Sequence, residues 1–159
     1  MGWQLLHECR YEDAITQLKR LLSAEPNYPW AHWGLCSGFY RTGKYKQAVA
    51  EAQQYLVMTG HGEAAEAMQD GQAEPGYQES IRRAADNLVV QANSRYVQAI
   101  LIARLYALAQ QKNLALDWLE KSCELGEPWF TLIDVDVDWN DLRDDPRFTK
   151  LLTRTGLDK

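Results

Sequence analysis

The sequence predicts an all-α fold, and two observations carry that prediction. Apolar residues recur at helical spacing in several segments while polar residues cover the opposite face, as in the run from Ala14 to Ala24. All five prolines fall where this periodicity breaks, and none interrupts a run of good helix formers. Two-residue alternation occurs only around residues 133–138, which is too short to found a sheet.

The same periodicity places further helices along the chain. It predicts helices over residues 45–58 and 113–125. Between Tyr96 and Ala109 the apolar residues nearly encircle the helix, so we expect this helix to be central and packed on more than one side. Asp145-Pro146, an N-cap followed by a first-turn proline, predicts a final helix whose apolar residues cover the open end of the fold.

An internal repeat organises these helices. The segment Tyr11–Ile15 reappears as Tyr45–Val49 after 34 residues, and more faintly as Tyr77–Ile81 after a further 32. Small residues near the start of four helices mark the register, and these are Ala14, Ala48, Ser80 and Ala115. A small side chain allows the second helix of a pair to approach the first closely. A period of about 34 residues with two helices per unit is typical of the tetratricopeptide repeat.

The second unit carries the resemblance to that family best. Pro26 closes the preceding helix, apolar residues follow at helical spacing, Gly43 turns the chain, and Tyr45 and Ala48 open the next helix. This unit resembles a tetratricopeptide unit from end to end. Two positions depart from the family pattern: Cys36 stands where a small residue is usual, and Gln110 stands where the turn glycine of the last unit would be.

The resemblance implies a tetratricopeptide-like α-solenoid of antiparallel helix pairs with a C-terminal capping helix. The units would cover approximately residues 1–26, 27–60, 61–94 and 95–126, and the cap residues 127–159, within a single helical repeat domain. The first unit is truncated, and the third keeps little of the pattern beyond Tyr77 and Ser80.

The last two-thirds of the chain resembles the C-terminal repeat region of bacterial multidomain signalling proteins. The segments that carry this likeness include Ala103–Ala107, Ala115–Lys121 and Leu142–Phe148. In those proteins the region follows a winged-helix, Ser/Thr kinase or cyclase domain and serves protein–protein contact. None of those domains is present in these 159 residues, so their activities are not carried over.

Amino-acid composition argues against two classes of partner and indicates a cellular compartment. A net charge of −5 and a pI near 5.2 argue against nucleic-acid binding, which needs a basic face to neutralise phosphates. The sequence contains no long uninterrupted apolar run, so we expect no membrane partner. Three widely spaced cysteines fit a reducing compartment better than a disulfide framework, and we therefore expect a cytoplasmic protein.

The resemblance also implies a concave groove that binds a peptide or protein segment, formed by the first helix of each pair. The positions that would face this groove are Trp30, Trp33, Ser37, Tyr40, Arg41, Val97, Ile100 and Arg104. Trp and Arg are frequent interface hot spots. Two alternatives stay open: Trp30 and Trp33 pack inside the array, or the chain is a scaffold or oligomerisation part of a larger bacterial signalling or transcription-regulatory protein.

Few residues in the sequence point to catalysis or to metal binding. The acidic run from Asp134 to Asp145 spaces oxygen ligands as a calcium loop would, but Trp139 replaces the turn glycine and Asp145 the bidentate Glu. His32 and Cys36 lie four residues apart on one helix face, without an evident third group to orient them. We therefore expect no enzymatic activity, no cofactor and no metal, and the question of a cation in the acidic run stays open.

Two glycines lie within the run of helical apolar spacing from Ala31 to Tyr40. Gly34 and Gly38 each cost helix stability of about 1 kcal/mol. Such a cost implies close helix packing or a ligand that needs room, and we expect packing because small residues favour tight contacts.

Overall fold

A computed structural model describes residues 2–68 and 73–156, and within these ranges the chain is helical with connecting turns and no strand. The all-α prediction is therefore confirmed. The α-helices are α1 (Gly2–His7), α2 (Tyr11–Ala24), α3 (Pro29–Arg41), α4 (Tyr45–Met58), α5 (Gly62–Ala67), α6 (Glu74–Gln91), α7 (Ala99–Leu108), α8 (Lys112–Leu125) and α9 (Pro146–Thr155). Two 3-10 segments, Pro128–Leu132 and Val137–Leu142, lie between α8 and α9.

Contacts divide the chain into two compact units, residues 1–84 and residues 85–159. In the first unit α3 packs against α1, α2 and α4, and in the second α7 packs against α8. The boundary falls inside α6. The four repeats and the cap that the sequence predicts are a finer division and stay a prediction.

The same turn precedes α2, α4 and α8, and a turn of this kind also precedes the short helix α5, where Gly60 has φ of 84° and the amide of His61 donates to Leu56 O at 2.7 Å. For α2, α4 and α8 the residue two positions before the helix has a left-handed backbone, with φ of 57° at Cys9, 72° at Gly43 and 58° at Gln110. Glycine adopts this conformation without steric cost, whereas Cys and Gln do not. The structure thus shows that Gln110 forms the turn for which the repeat pattern expects a glycine.

Hydrogen bonding in these three turns is also the same. The amide that follows the left-handed residue donates to the carbonyl five positions earlier, as in a Schellman motif. The three bonds run from Arg10 N to Leu5 O (2.9 Å), from Lys44 N to Phe39 O (2.8 Å) and from Gln111 N to Tyr106 O (2.8 Å). Each bond satisfies a carbonyl at the end of the first helix and fixes the direction in which the next helix begins.

Helices α2, α4 and α8 share a length and a register. Each has 14 residues, and its fourth residue is one of the small residues that mark the repeat: Ala14, Ala48 or Ala115. These three side chains and that of Ser80 in α6 are completely buried. The close approach of paired helices that the sequence predicts at these positions requires such burial.

Helix α7 is the most enclosed part of the second unit. All ten of its residues are buried, which confirms the prediction of a central helix packed on more than one side. The helix begins at Ala99, however, so Tyr96 and Val97, which the prediction included, precede it. A side chain outside the helix satisfies its first turn: the Glu127 carboxylate accepts from the amides of Ala99 (2.8 Å) and Ile100 (2.9 Å). The hydroxyls of Tyr96 (2.9 Å) and Ser122 (2.8 Å) donate to the same carboxylate. The bond to Glu127 raises the pKa of the Tyr96 hydroxyl.

The last helix begins as the sequence predicts. The Asp145 carboxylate accepts a hydrogen bond from the amide of Arg147 at 2.9 Å, and Pro146 occupies the first helical position. Phe148 and Leu151 are buried. The N-cap and the burial of the apolar face are therefore confirmed.

The glycines of α3 face α2 at close range. A Cβ atom on Gly34 would lie 2.9 Å from Leu18 Cδ1, and one on Gly38 would lie 2.9 Å from Ile15 Cγ1. Both distances are shorter than carbon atoms tolerate, so the expected close packing is confirmed. Hydrogen at these two positions lets the two helices approach.

Replacing Gln110 by glycine is expected to stabilise the second unit. The Gln110→Gly variant removes the steric cost of the left-handed backbone and should raise the free energy of unfolding by about 0.5 to 1 kcal/mol. It loses only an exposed hydrogen bond to Asp141. Urea denaturation measures the change. The matched control is Gln111→Gly, where φ is −93° and glycine brings no relief, so this variant should lose stability; equal effects of the two changes would contradict the explanation.

Gly38→Ala is expected to destabilise the first unit. The added methyl group meets Ile15 Cγ1, whose position is held by the strongly preferred χ1 rotamer of a β-branched residue in a helix. Overpacking costs about 1 to 3 kcal/mol, which exceeds the gain of roughly 1 kcal/mol in helix propensity. Thermal denaturation should therefore show a lower midpoint. In the control Gly62→Ala, the Cβ atom meets no other atom within 4 Å, so an unchanged or higher midpoint is expected there.

Candidate functional site

The eight positions predicted to face a groove differ in their exposure. Three of them, all on α3, reach the surface: Trp30 and Tyr40 in part and Arg41 more fully. The other five are buried, and these are Trp33, Ser37, Val97, Ile100 and Arg104. A surface for a partner on α3 is therefore limited to its two ends, because seven consecutive residues between them, 33–39, are buried.

Aromatic rings surround the N-terminal end of α3. The ring of Trp30 lies edge-on to Trp3 of α1, with centroids 6.4 Å apart, and 5.5 Å from the ring of Tyr55 in α4. Trp33 also packs on Tyr55, with ring centroids 4.8 Å apart, and has no exposed surface. Packing against the neighbouring helices, the alternative to a groove position, thus accounts for Trp33.

Three tyrosines meet at the C-terminal end of α3, and we call them the tyrosine cluster: Tyr40, Tyr45 and Tyr77. The rings of Tyr40 and Tyr77 are stacked with centroids 4.7 Å apart, and Tyr45 lies 6.0 Å from Tyr40. The Tyr40 hydroxyl donates to Glu74 at 3.2 Å. The guanidinium of Arg41 lies 5.6 Å from the Tyr40 ring centre, within cation–π range.

The sequence predicts only part of this cluster. It places Tyr40 and Arg41 on the groove and assigns Tyr45 and Tyr77 to the turn of the repeat. The missed signal is that Tyr45 and Tyr77 occupy equivalent positions of the sequence repeat, 32 residues apart. In the structure both rings lie at the same end of α3.

His32 and Cys36 contact different partners. His32 Nδ1 lies 2.6 Å from Glu51 Oε2, whereas Cys36 Sγ lies 3.7 Å from the Tyr77 hydroxyl and is buried. A catalytic thiol needs an accessible sulfur beside a base. The geometry instead gives each residue a packing partner within the first unit.

Arg104, predicted to face the groove, is in the interior of the second unit. Its guanidinium forms ion pairs with Asp136 (Nη2 to Oδ2, 2.6 Å) and Asp138 (Nε to Oδ2, 3.3 Å), and it lies 5.6 Å from the ring centre of Trp139. A buried charge of this kind needs charged partners, because burial removes its hydration. The acidic run thus neutralises an internal cation.

The remaining carboxylates of that run do not assemble into a metal centre. Within residues 2–68 and 73–156, no group of three or more His, Cys, Asp or Glu side chains is placed to hold a metal ion. Arg143 binds the backbone of the run, donating to the carbonyls of Asp134 at 2.6 Å and Asp136 at 3.1 Å. These contacts hold the run in place through its main chain.

Two arginines on α6 share one carboxylate. Arg82 Nη2 and Arg83 Nε lie 2.9 Å and 3.0 Å from Glu79 Oε1. Their hydrogen bonds lower the pKa of Glu79 from 4.5 to about 2. Both arginines therefore form ion pairs with a carboxylate on their own helix.

No protein-family model, no curated protein and no solved structure matches this chain. None of the helices in the described part of the chain combines the length and the apolar character needed to cross a bilayer.

The Glu79 site predicts a specific pH dependence. Because its folded pKa lies below the ordinary value, the stabilisation from the two arginines is present above pH 4.5 and is lost as the pH falls towards 2. Carboxyl carbon-13 chemical shifts should give a Glu79 midpoint near 2. Arg82→Gln should move that midpoint towards 4.5, whereas the control Lys46→Gln on α4 should leave it unchanged; a midpoint insensitive to Arg82→Gln would contradict the assignment.

Proposed function

We propose that this chain is a non-catalytic helical-repeat module of the tetratricopeptide type that binds a peptide or protein segment. The observation that carries the proposal is a combination that α2, α4 and α8 share: a left-handed residue two positions before the helix, the same turn hydrogen bond, a length of 14 residues and a buried alanine at the fourth position. Recurrence of a turn, a length and a register is what a repeat array requires.

In this proposal the helix pairs are antiparallel and stack as an α-solenoid. Only three residues, Thr42 to Lys44, separate α3 from α4, and the two helices pack along each other. So short a connection between packed helices favours an antiparallel pair. The pairs α1 with α2 and α7 with α8 have connections of the same kind.

The binding surface that we propose is the C-terminal end of α3. Arg41 and the tyrosine cluster supply a cation and partly exposed aromatic surface, which are the groups most frequent at interface hot spots. Glu74 and the stacked Tyr77 hold the Tyr40 ring in one orientation, so little entropy is lost when a partner contacts it. The charge of Arg41 favours a partner segment that carries a carboxylate.

A peptide-display selection tests this surface. A random dodecapeptide library is selected on the intact chain, and the recovered peptides are measured by fluorescence anisotropy against two variants. Arg41→Ala should weaken binding about tenfold, because an arginine at a hot spot contributes more than ~1 kcal/mol. The matched control is Arg20→Ala, which removes an exposed arginine from α2 and should leave the affinity unchanged.

Two results would oppose the proposal. Recovered peptides that bind both variants equally well would show that the end of α3 is not the binding surface. Self-association of the chain in sedimentation velocity, lost in Arg41→Ala, would favour the alternative function as a scaffold or oligomerisation part of a larger signalling protein.

A further inference from the structure

A segment between α8 and α9 presents apolar side chains to solvent in a regular order. Hydrogen bonds between residues three apart run through residues 127–135, from the amide of Phe130 to Glu127 O (3.1 Å), of Ile133 to Phe130 O (3.2 Å) and of Val135 to Leu132 O (3.2 Å). With three residues per turn, every third side chain lies on the same face. The segment thus has three distinct faces.

One face points inward and another outward. The inward residues are Phe130 and Ile133, both buried, and Asp136, which binds Arg104. The outward residues are Trp129, Leu132 and Val135, which are 42%, 46% and 54% exposed. We call these three residues the apolar ridge. Single exposed apolar residues are common, whereas neighbouring ones rimmed by polar residues are a feature of interaction surfaces.

Hydrogen bonds and an ion pair fix the backbone of the segment that carries the apolar ridge. Arg143 clamps the backbone of Asp134 and Asp136, and the buried ion pair of Arg104 with Asp136 anchors the end of the segment. A 3-10 turn has weaker hydrogen bonds than an α-helix and needs such support. Because its backbone is already ordered, the ridge would lose little entropy on contact with a partner.

The charge of the residues around the ridge indicates the charge that a partner would carry. Residues 127–145 contain seven acidic side chains and one basic side chain. Within the described ranges, Asp134, Asp141, Asp144 and Asp145 form no ion pair with a Lys or Arg. This stretch of the chain therefore carries a net negative charge, which opposes a second copy of the same surface and an anionic lipid bilayer. It favours a cationic partner.

We propose that the apolar ridge is a docking surface for a basic amphipathic segment of another protein. Apolar side chains of that segment would pack on Trp129, Leu132 and Val135, and its Lys or Arg residues would face Asp134 and the other carboxylates. Residues 127–145 belong to the second unit, whereas the surface proposed at the end of α3 belongs to the first, so the two proposals can fail separately.

A designed peptide provides the probe. It is a fluorescein-labelled helix of about 14 residues with Leu on one face and Lys on the other, and its counterpart carries Glu in place of Lys. Fluorescence anisotropy on the intact chain should show saturable binding of the Lys peptide that weakens as salt increases, and no binding of the Glu peptide.

Matched variants locate the site. Leu132→Ser should weaken binding of the Lys peptide about tenfold, and Asp134→Asn about threefold with a smaller salt dependence. The control Val57→Ser removes an equally exposed apolar side chain from α4 and should have no effect. Thermal denaturation should show equal midpoints for Leu132→Ser and Val57→Ser, because both side chains are exposed, and a second ridge variant, Val135→Ser, checks the result.

Three outcomes would overturn the proposal. Equal weakening by Leu132→Ser and Val57→Ser would show non-specific adsorption of the peptide to an acidic chain. Dimerisation in sedimentation equilibrium that Leu132→Ser abolishes would assign the ridge to a second copy. Sedimentation of the chain with phosphatidylglycerol vesicles, lost in the same variant, would assign the ridge to a lipid surface.

Discussion

The helix pairs of this protein depend on one backbone constraint, a single residue in the left-handed conformation two positions before the second helix. Because that residue reverses the chain within three positions, the following amide reaches a carbonyl near the end of the first helix. The register of the second helix is then fixed, and its fourth residue is buried in each of the three pairs. Ala48 is buried for this reason, as are its equivalents in α2 and α8.

Cys9 and Gln110 show that the turn matters more than the residue type that makes it. Both adopt a φ angle that costs an ordinary residue about 1 kcal/mol or more. The hydrogen bond across each turn and the apolar contacts of the two helices offset that cost. The fold therefore accepts residues other than glycine at this turn, and this explains why only Gly43, among the three turn residues, matches the glycine that the sequence pattern expects.

Sequence reasoning predicted the parts of the fold that depend on local periodicity. The bounds of α4, Tyr45–Met58, and the burial of α7 follow from apolar spacing alone. It did not predict which face of α3 is exposed, because Gly34 and Gly38 let α2 approach and bury residues on every side. Nor did it predict the 3-10 segments. The alternation of period two between Ile133 and Asp138 gave no indication of the three-residue period that places Trp129, Leu132 and Val135 on one face. Sequence reasoning also missed the ion pair of Arg104 with Asp136, because the two residues are 32 positions apart and local periodicity does not reveal such a contact.

Glu127 gives the N-terminus of α7 a covalently tethered anion. The free amides of a helix N-terminus, which elsewhere bind a phosphate or a carboxylate from solution, are here occupied by a side chain of the same chain. Tethering keeps the effective concentration of that carboxylate far above that of any free competitor. The same residue accepts the first hydrogen bond of the segment that carries the apolar ridge. The amides at the start of α7 are thus occupied and do not bind anions from solution. Through its carboxylate and its backbone carbonyl, Glu127 connects the first turn of α7 to the segment that carries the apolar ridge.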